Sequence, residues 1–143
     1  MGGAVMAYGS VLTDTVQSST SGTPPTFKDG NGTQVGTLCR AWVNFNGSGG
    51  ITVNGSFNVS SVVRNGTGDY TINFTNSMPD ANYSVTQSAR PNTTGANTVQ
   101  MRVFGYTNGN NQAPASSNFR VGFAVQNVNN AQDCDYVCLA VFR

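Results

Sequence analysis

The sequence predicts an all-β protein, an antiparallel β-sandwich of jelly-roll-like layout behind an extended N-terminal arm. Three observations predict it. Helix formers are scarce, with three Leu, one Lys and no Glu in 143 residues, while Val, Thr, Phe and Tyr fill the apolar positions, as they do in strands. Apolar residues recur with a period of two in short runs, and no 3.6-residue period is visible. Between the runs lie clusters of Asn, Gly, Ser and Asp, with 18 Asn and 17 Gly in the chain, the residues that make turns.

Taken in order, residues 1–35 come first. They are rich in Ser, Thr and Gly, are broken by Pro24-Pro25, and hold too few apolar residues to build a core. They read either as a flexible tail or as an arm that becomes ordered against a partner, and the sparse but regular apolar residues fit the second better. Residues 36–143 read as the sandwich. "LCRAWVNF" places Cys39, Ala41, Val43 and Phe45 on one face and Arg40, Trp42 and Asn44 on the other. "NGSGG" turns the chain. "ITVNGSFNVSSVV" is expected to point Ile51, Val53, Phe57 and Val59 inward and Thr52, Asn54, Ser56 and Asn58 outward, with Gly55 marking a bulge or a break. "DYTINFT" aligns Tyr70, Ile72 and Phe74, and "NSMPDAN" is a turn set by Pro79 and Asp80. "YSVTQSA", "TVQMRVFGY" and "FRVGFAVQNV" follow as strands, separated by "RPNTTGAN" and the long polar loop "TNGNNQAPASSN". The last strand, "DYVCLAVFR", differs from the rest. Tyr136, Cys138, Ala140 and Phe142 share one face and Val137, Leu139 and Val141 the other. Both faces are apolar, so cover is expected on both, from the core on one side and from the arm or a second subunit on the other.

Charge excludes some functions. Seven basic and six acidic residues give a net charge of +1, and the basic residues are spread singly, which does not suit a row of phosphates. No segment is long and apolar enough to span a bilayer, and no signal peptide is visible. A chain this neutral is weakly protected against association and suits a fixed part of an assembly. Eight Asn-x-Ser/Thr sequons, from Asn31 to Asn92, are the expected by-product of so much Asn, Ser and Thr.

Catalytic chemistry has few candidates. With no His and no Glu, Ser-His-Asp and Cys-His arrangements are excluded. Asp69 and Asp80 are the carboxylates a glycosidase would need, but each sits where Asp is expected for backbone reasons. The sequence therefore points to no catalytic residue and to no cofactor. Cys39, Cys134 and Cys138 lack metal-ligand spacing, so no metal site is expected, and Asp133 and Asp135 read as the polar start of the last strand. Extended chain would place Cys134 and Cys138 on one face roughly 13 Å apart, too far to bridge. Cys39 could pair with either only if the first and last strands are neighbours; buried free thiols are the simpler reading. Trp42 fits sheet or interface packing better than sugar stacking. The amide and aromatic residues Tyr106, Asn108, Asn110, Asn111 and Gln112 are candidates for binding a hydroxyl-rich ligand.

The strings "GTLCRAWVNFNG", "SFNVSSVVRNGTGDYTINFTNSMPDANYSV" and "DYVCLAVFR" resemble a family of small domains in the virions of tailed bacteriophages, including those that infect cyanobacteria, where they form part of tail-fibre proteins. The resemblance covers about Gly36 to Arg143 and is most specific over Thr37 to Val85, in the order "RAWVNF", "NGTGDY", "MPDANY". It implies a β-rich trimeric knob that contacts the host surface, and it supplies no catalytic residue. The expectation is a virion structural protein: a short homotrimeric tail fibre whose arm attaches to other virion proteins of the tail or baseplate. Its knob would bind host surface glycan through loops near 46–50, 90–97 and 107–117. A capsid decoration or cement protein is the alternative, and a carbohydrate-active enzyme using Asp69 or Asp80 a more distant one. Neither nucleic acid nor membrane insertion is expected.

Overall fold

The computed structural model describes residues 13–20, 24–92, 99–103, 112–125 and 130–143. The chain divides into two compact units, Met1–Thr37 and Leu38–Arg143.

In the first unit a small antiparallel hairpin joins β1 (Phe27–Lys28) to β2 (Gln34–Gly36). Asp29 builds its turn. One carboxylate oxygen accepts the backbone N–H groups of Asn31 and Thr33, both at 2.9 Å, and Gly32 takes a positive φ of 82°. Val16, Phe27 and Val35 are exposed. The arm thus contains local order but, among its described residues, no buried apolar cluster.

The second unit is a two-sheet antiparallel sandwich without helices among its described residues. One sheet has the order β4 (Thr52–Phe57), β3 (Cys39–Asn46), β11 (Cys134–Phe142), β7 (Ser84–Pro91). The other joins β5 (Val59–Gly66), β6 (Asp69–Phe74) and β9 (Asn118–Val125). Two further strands, β8 (Val99–Val103) and β10 (Asn130–Ala131), also pair with β9. The all-β, packed-sheet expectation holds. The period of two explains it: Ala41, Val43 and Phe45 of β3, Tyr70, Ile72 and Phe74 of β6, Phe119, Val121 and Phe123 of β9, and Val137, Leu139 and Val141 of β11 are all buried. Their aromatic rings meet edge to face, Phe45 with Tyr70 at 5.2 Å and Phe74 with Tyr83 at 5.7 Å between centroids.

The run from Ile51 to Val63 departs from the expectation. Val53 lies opposite the buried Phe45 but is exposed on the edge strand, and Phe57 is exposed and turned outward. A register irregularity between Asn44 and Phe45 breaks the alternation, and Phe57 lies opposite Trp42 on the outer face. The chain then leaves one sheet for the other at Asn58, the one described non-Gly residue with a positive φ, 54°. Its side chain holds that corner. It donates to the Arg40 and Asn76 carbonyls, both at 3.0 Å, and accepts the Asn76 N–H at 2.7 Å. Asn58 is therefore a pinned corner, not an outward strand residue.

β11 carries a second correction. A bulge lies between Cys134 and Tyr136, opposite Arg90 and Pro91, so Cys134 faces the core while Cys138 lies on the outer face. β3 and β11 are neighbours, yet Cys39 lies opposite Phe142 and Cys138 opposite Asn44. Register alone keeps these thiols apart, and all three are free.

Candidate functional site

The second unit has two ends and two outer faces. The chain enters it at Leu38, beside β3. Around that end lie the corner Asn58–Asn76, the turn at Pro79 and Asp80, and residues 115–117, which Phe74, Met78 and Tyr83 bind through the carbonyls of Ser117, Ser116 and Ala115. The opposite end gathers the 46–50 loop, Asn92 and residues 132–133. There a chain of side-chain hydrogen bonds links three loops: Gln132 Nε2 donates to Asn92 Oδ1, and Asn92 Nδ2 to Ser48 Oγ, both at 2.6 Å. Of the loops expected to face the host together, 46–50 meets Asn92 at one end. Ala115–Ser117 lies at the other, so the described parts of the three loops do not share a surface.

Below the Ser48–Asn92–Gln132 chain lies Asp133. One of its oxygens accepts the Tyr70 hydroxyl at 2.7 Å, the Gly68 N–H at 2.8 Å and Arg64 Nε at 3.2 Å; the other accepts Arg64 Nη2 at 2.8 Å. Burial opposes ionisation of this carboxyl, but the Arg64 guanidinium, the Gly68 N–H and the Tyr70 hydroxyl outweigh it and hold it below the usual range. Burial first, and then the hydrogen bond to Asp133, pushes the Tyr70 phenol far up. Tyr70 itself packs against Gly47, where a side chain would overlap its ring. The signal missed in the sequence was this pairing of strand β6 with the residue just before β11.

The other carboxylates of this unit are paired too. Asp69, buried at the start of β6, is held by the Arg120 guanidinium of β9 and receives the Asn65 amide. It is a buried ion-pair partner and not a turn corner. Asp80 does cap its turn, accepting the Asn82 N–H at 2.8 Å, and also takes both arms of Arg143. The Arg143 bonds, then the turn, lower its pKa to about 2. Asp135 pairs with Arg90 through two bonds of 3.0 Å. Asp69 and Asp80 thus lie in separate ion pairs at opposite ends of β6 and its following turn. Among the described residues no group of three His, Cys, Asp or Glu side chains gathers as a metal site would require. Tyr106, Asn108, Asn110 and Asn111 lie outside the described residues; Gln112 is exposed.

The two outer faces differ. That of β5, β6 and β9 is mostly polar and laddered, with Val63 exposed between the ladders: Asn73 donates to Ser61 at 2.9 Å and Asn65 to Thr71 at 2.8 Å. That of β4, β3, β11 and β7 is aromatic. Trp42, Phe57 and Tyr136 are 42%, 54% and 47% exposed. Cys138, Ala140 and Phe142 lie half-buried among them. The Trp42 ring rests over Gly55, where even a Cβ would come within 3.3 Å of it. Asn54 donates to Asn44 and Asn44 to the Cys138 sulfur, at 2.6 and 2.9 Å. A shallow depression of about 280 Å³ runs along β7 and β11, lined by Thr86, Ser88, Cys138 and Ala140 with Gln87 and Leu139.

Comparison with family models, with curated proteins and with solved structures finds no match.

Proposed function

We propose that the chain is a bacteriophage virion structural protein, a short homotrimeric tail fibre. Its Leu38–Arg143 unit is the knob and its N-terminal unit is the attachment to other virion proteins. The sequence resemblance supports this reading. The observation that carries it in three dimensions is the polarity of the knob. The chain enters at one end, and the opposite end, one strand length or roughly 25 Å away, presents the neutral hydroxyl and amide groups of Ser48, Asn92 and Gln132. Such groups suit hydroxyl-rich glycan on a host surface, and they are where an attached knob would meet it. The N-terminal unit, with Val16, Phe27 and Val35 exposed and no core among its described residues, gains apolar cover on attachment or trimerisation.

Immunogold labelling of intact particles tests the placement. Label at the tail supports the fibre; label over the capsid shell replaces it with a decoration protein. Purified protein should adsorb to host cells and block infection, and Asn92→Arg at the distal end should weaken that block at least tenfold. Equal blocking by the variant removes the receptor role from this end.

A further inference from the structure

Four Asn-Gly pairs lie among the described residues: Asn31-Gly32, Asn46-Gly47, Asn54-Gly55 and Asn65-Gly66. They share one chemistry. Glycine has no side chain to keep its backbone nitrogen away from the preceding amide carbon. That nitrogen can lose its proton and attack the asparagine Cγ. The N–Cγ bond forms, the Cγ–Nδ2 bond breaks, and Nδ2 leaves as ammonia. Water then opens the resulting succinimide ring at either carbonyl, giving aspartate or isoaspartate. Because the dipeptide is the same four times, the fold decides which pair reacts. We infer that Asn31-Gly32 is a self-modifying site, a deamidation site gated by the Asp29 turn, and that the folded Leu38–Arg143 unit protects the other three pairs.

The three pairs of the sandwich are held on both sides of the reaction. Asn46 Oδ1 accepts the Ser48 N–H at 2.8 Å, and the Gly47 N–H donates to the Cys134 carbonyl at 2.9 Å. Asn54 Nδ2 donates to Asn44 Oδ1 at 2.6 Å, and Gly55 is paired with Asn44 in the β3–β4 ladder under the Trp42 ring. Asn65 Nδ2 donates to Thr71 Oγ1 at 2.8 Å, and Gly66 is paired with Asp69 in the β5–β6 ladder. For these glycine nitrogens to reach the amide carbon, strands that bury the core must first separate. Asn31 is different. It is exposed, and among the described residues its side-chain amide makes no hydrogen bond. The Gly32 N–H is held by the Asp29 carbonyl at 3.0 Å. That bond belongs to a hairpin of two paired positions with a register irregularity between them. Phe27 and Val35 of its strands are exposed, and a two-stranded hairpin without a buried face is marginal in water. What holds the turn is Asp29, whose carboxylate accepts the Asn31 and Thr33 N–H groups, both at 2.9 Å. The reaction reinforces itself. Either product sets a second carboxylate two residues from Asp29. Isoaspartate also routes the backbone through the side chain, one carbon longer, and the β1–β2 register is lost.

The experiment uses the full chain, incubated in mildly alkaline buffer both folded and in urea. Peptide mapping by mass spectrometry follows asparagine, aspartate and isoaspartate at each pair. In urea the four asparagines should convert at like rates, since only the dipeptide then counts. In the folded chain Asn31 should convert at least about tenfold faster than Asn46, Asn54 or Asn65. Asp29→Ala, which removes both carboxylate bonds from the turn, should speed conversion of Asn31 about fivefold, the worth of one net hydrogen bond, and leave the other three rates unchanged. Circular dichroism of each sample shows that the sandwich is still folded. If Asn46, Asn54 or Asn65 converts as fast as Asn31 in the folded chain, the inference is overturned. It is overturned equally if Asn31 stays intact in the folded chain over the time in which the urea sample converts it. An Asp29→Ala chain whose Asn31 converts no faster overturns the gate.

Discussion

Replacing Asp133 with alanine removes an acceptor shared by two buried donors and one arginine. The magnitude follows from what is stranded. The Gly68 N–H is buried and bonds only Asp133 among the described contacts, at 2.8 Å; an orphaned buried donor costs about 1–3 kcal/mol. The Tyr70 hydroxyl, fully buried, loses its 2.7 Å bond but keeps the Gly47 carbonyl at 3.2 Å, so its share is at the low end of that range. Arg64 is 37% exposed, and its pair adds a fraction of a kcal/mol once solvent screening is counted. The expected loss is about 2–4 kcal/mol, a fall in Tm of roughly 10–20 °C for a unit of this size. Asp133→Asn, which keeps an acceptor oxygen, should lose less than half as much. The assay is thermal unfolding by circular dichroism at one protein concentration, because an oligomer's Tm depends on concentration. The pH dependence has a definite sign. The carboxyl titrates lower in the folded protein than in the unfolded chain, so its contribution is complete above about pH 4 and is lost as the pH falls through the folded value. The gap between the native chain and Asp133→Asn should therefore narrow below pH 4. A Tm for Asp133→Ala within about 3 °C of native, or a gap that does not change with pH, would refute the reasoning.

Other outcomes follow from the same geometry. Asp69→Ala leaves the guanidinium of Arg120 without its buried carboxylate and should cost about 3 kcal/mol, read by urea unfolding. Gly68→Ala should destabilise more than a surface change: φ is +64°, and the new methyl would meet the Phe123 carbonyl and lie 2.7 Å from Gln132 N. Asp80 has a folded pKa of about 2, so Asp80→Asn should lower Tm at pH 6 and converge with the native chain between pH 4 and pH 2. Cys134 is buried, and burial first, then Asp133 and Asp135, raises its pKa to about 12. A thiol reagent at pH 8 should modify it only after denaturant is added.

The sequence was legible where one residue's environment follows from its strand. Ala41-Val43-Phe45 and Tyr70-Ile72-Phe74 alternate without interruption, and they are core. It misled where a bulge resets the alternation. Val53 and Phe57 share the apolar spacing of a buried face, but the irregularity opposite Asn44 and Phe45 turns Phe57 to the outer side. The same physics separates Cys134 from Cys138 by face. Asn58 hid its role because its left-handed backbone is indistinguishable, in a chain with 18 Asn, from any turn. The ion pairs were illegible for another reason. Arg64 and Asp133 stand 69 residues apart, and Arg143 and Asp80 stand 63 apart, so only the sheet order brings them together. Asp80 could be read as a turn residue from Pro79 and Asn82, but its arginine could not.

That pairing changes what the low charge content means. Four of the six arginines and four of the six aspartates neutralise one another within the Leu38–Arg143 unit: Arg64 with Asp133, Arg90 with Asp135, Arg120 with Asp69, Arg143 with Asp80. Few charges are therefore left to act on a partner, and the unit's surface is close to electrically silent. Contacts made by such a surface depend on shape, apolar area and uncharged hydrogen bonds, none of which salt screens strongly. Adsorption through Ser48, Asn92 and Gln132 should therefore persist from low to high ionic strength. A steep loss with added salt would locate the contact on the charge that the four pairs leave over, Arg40 among it.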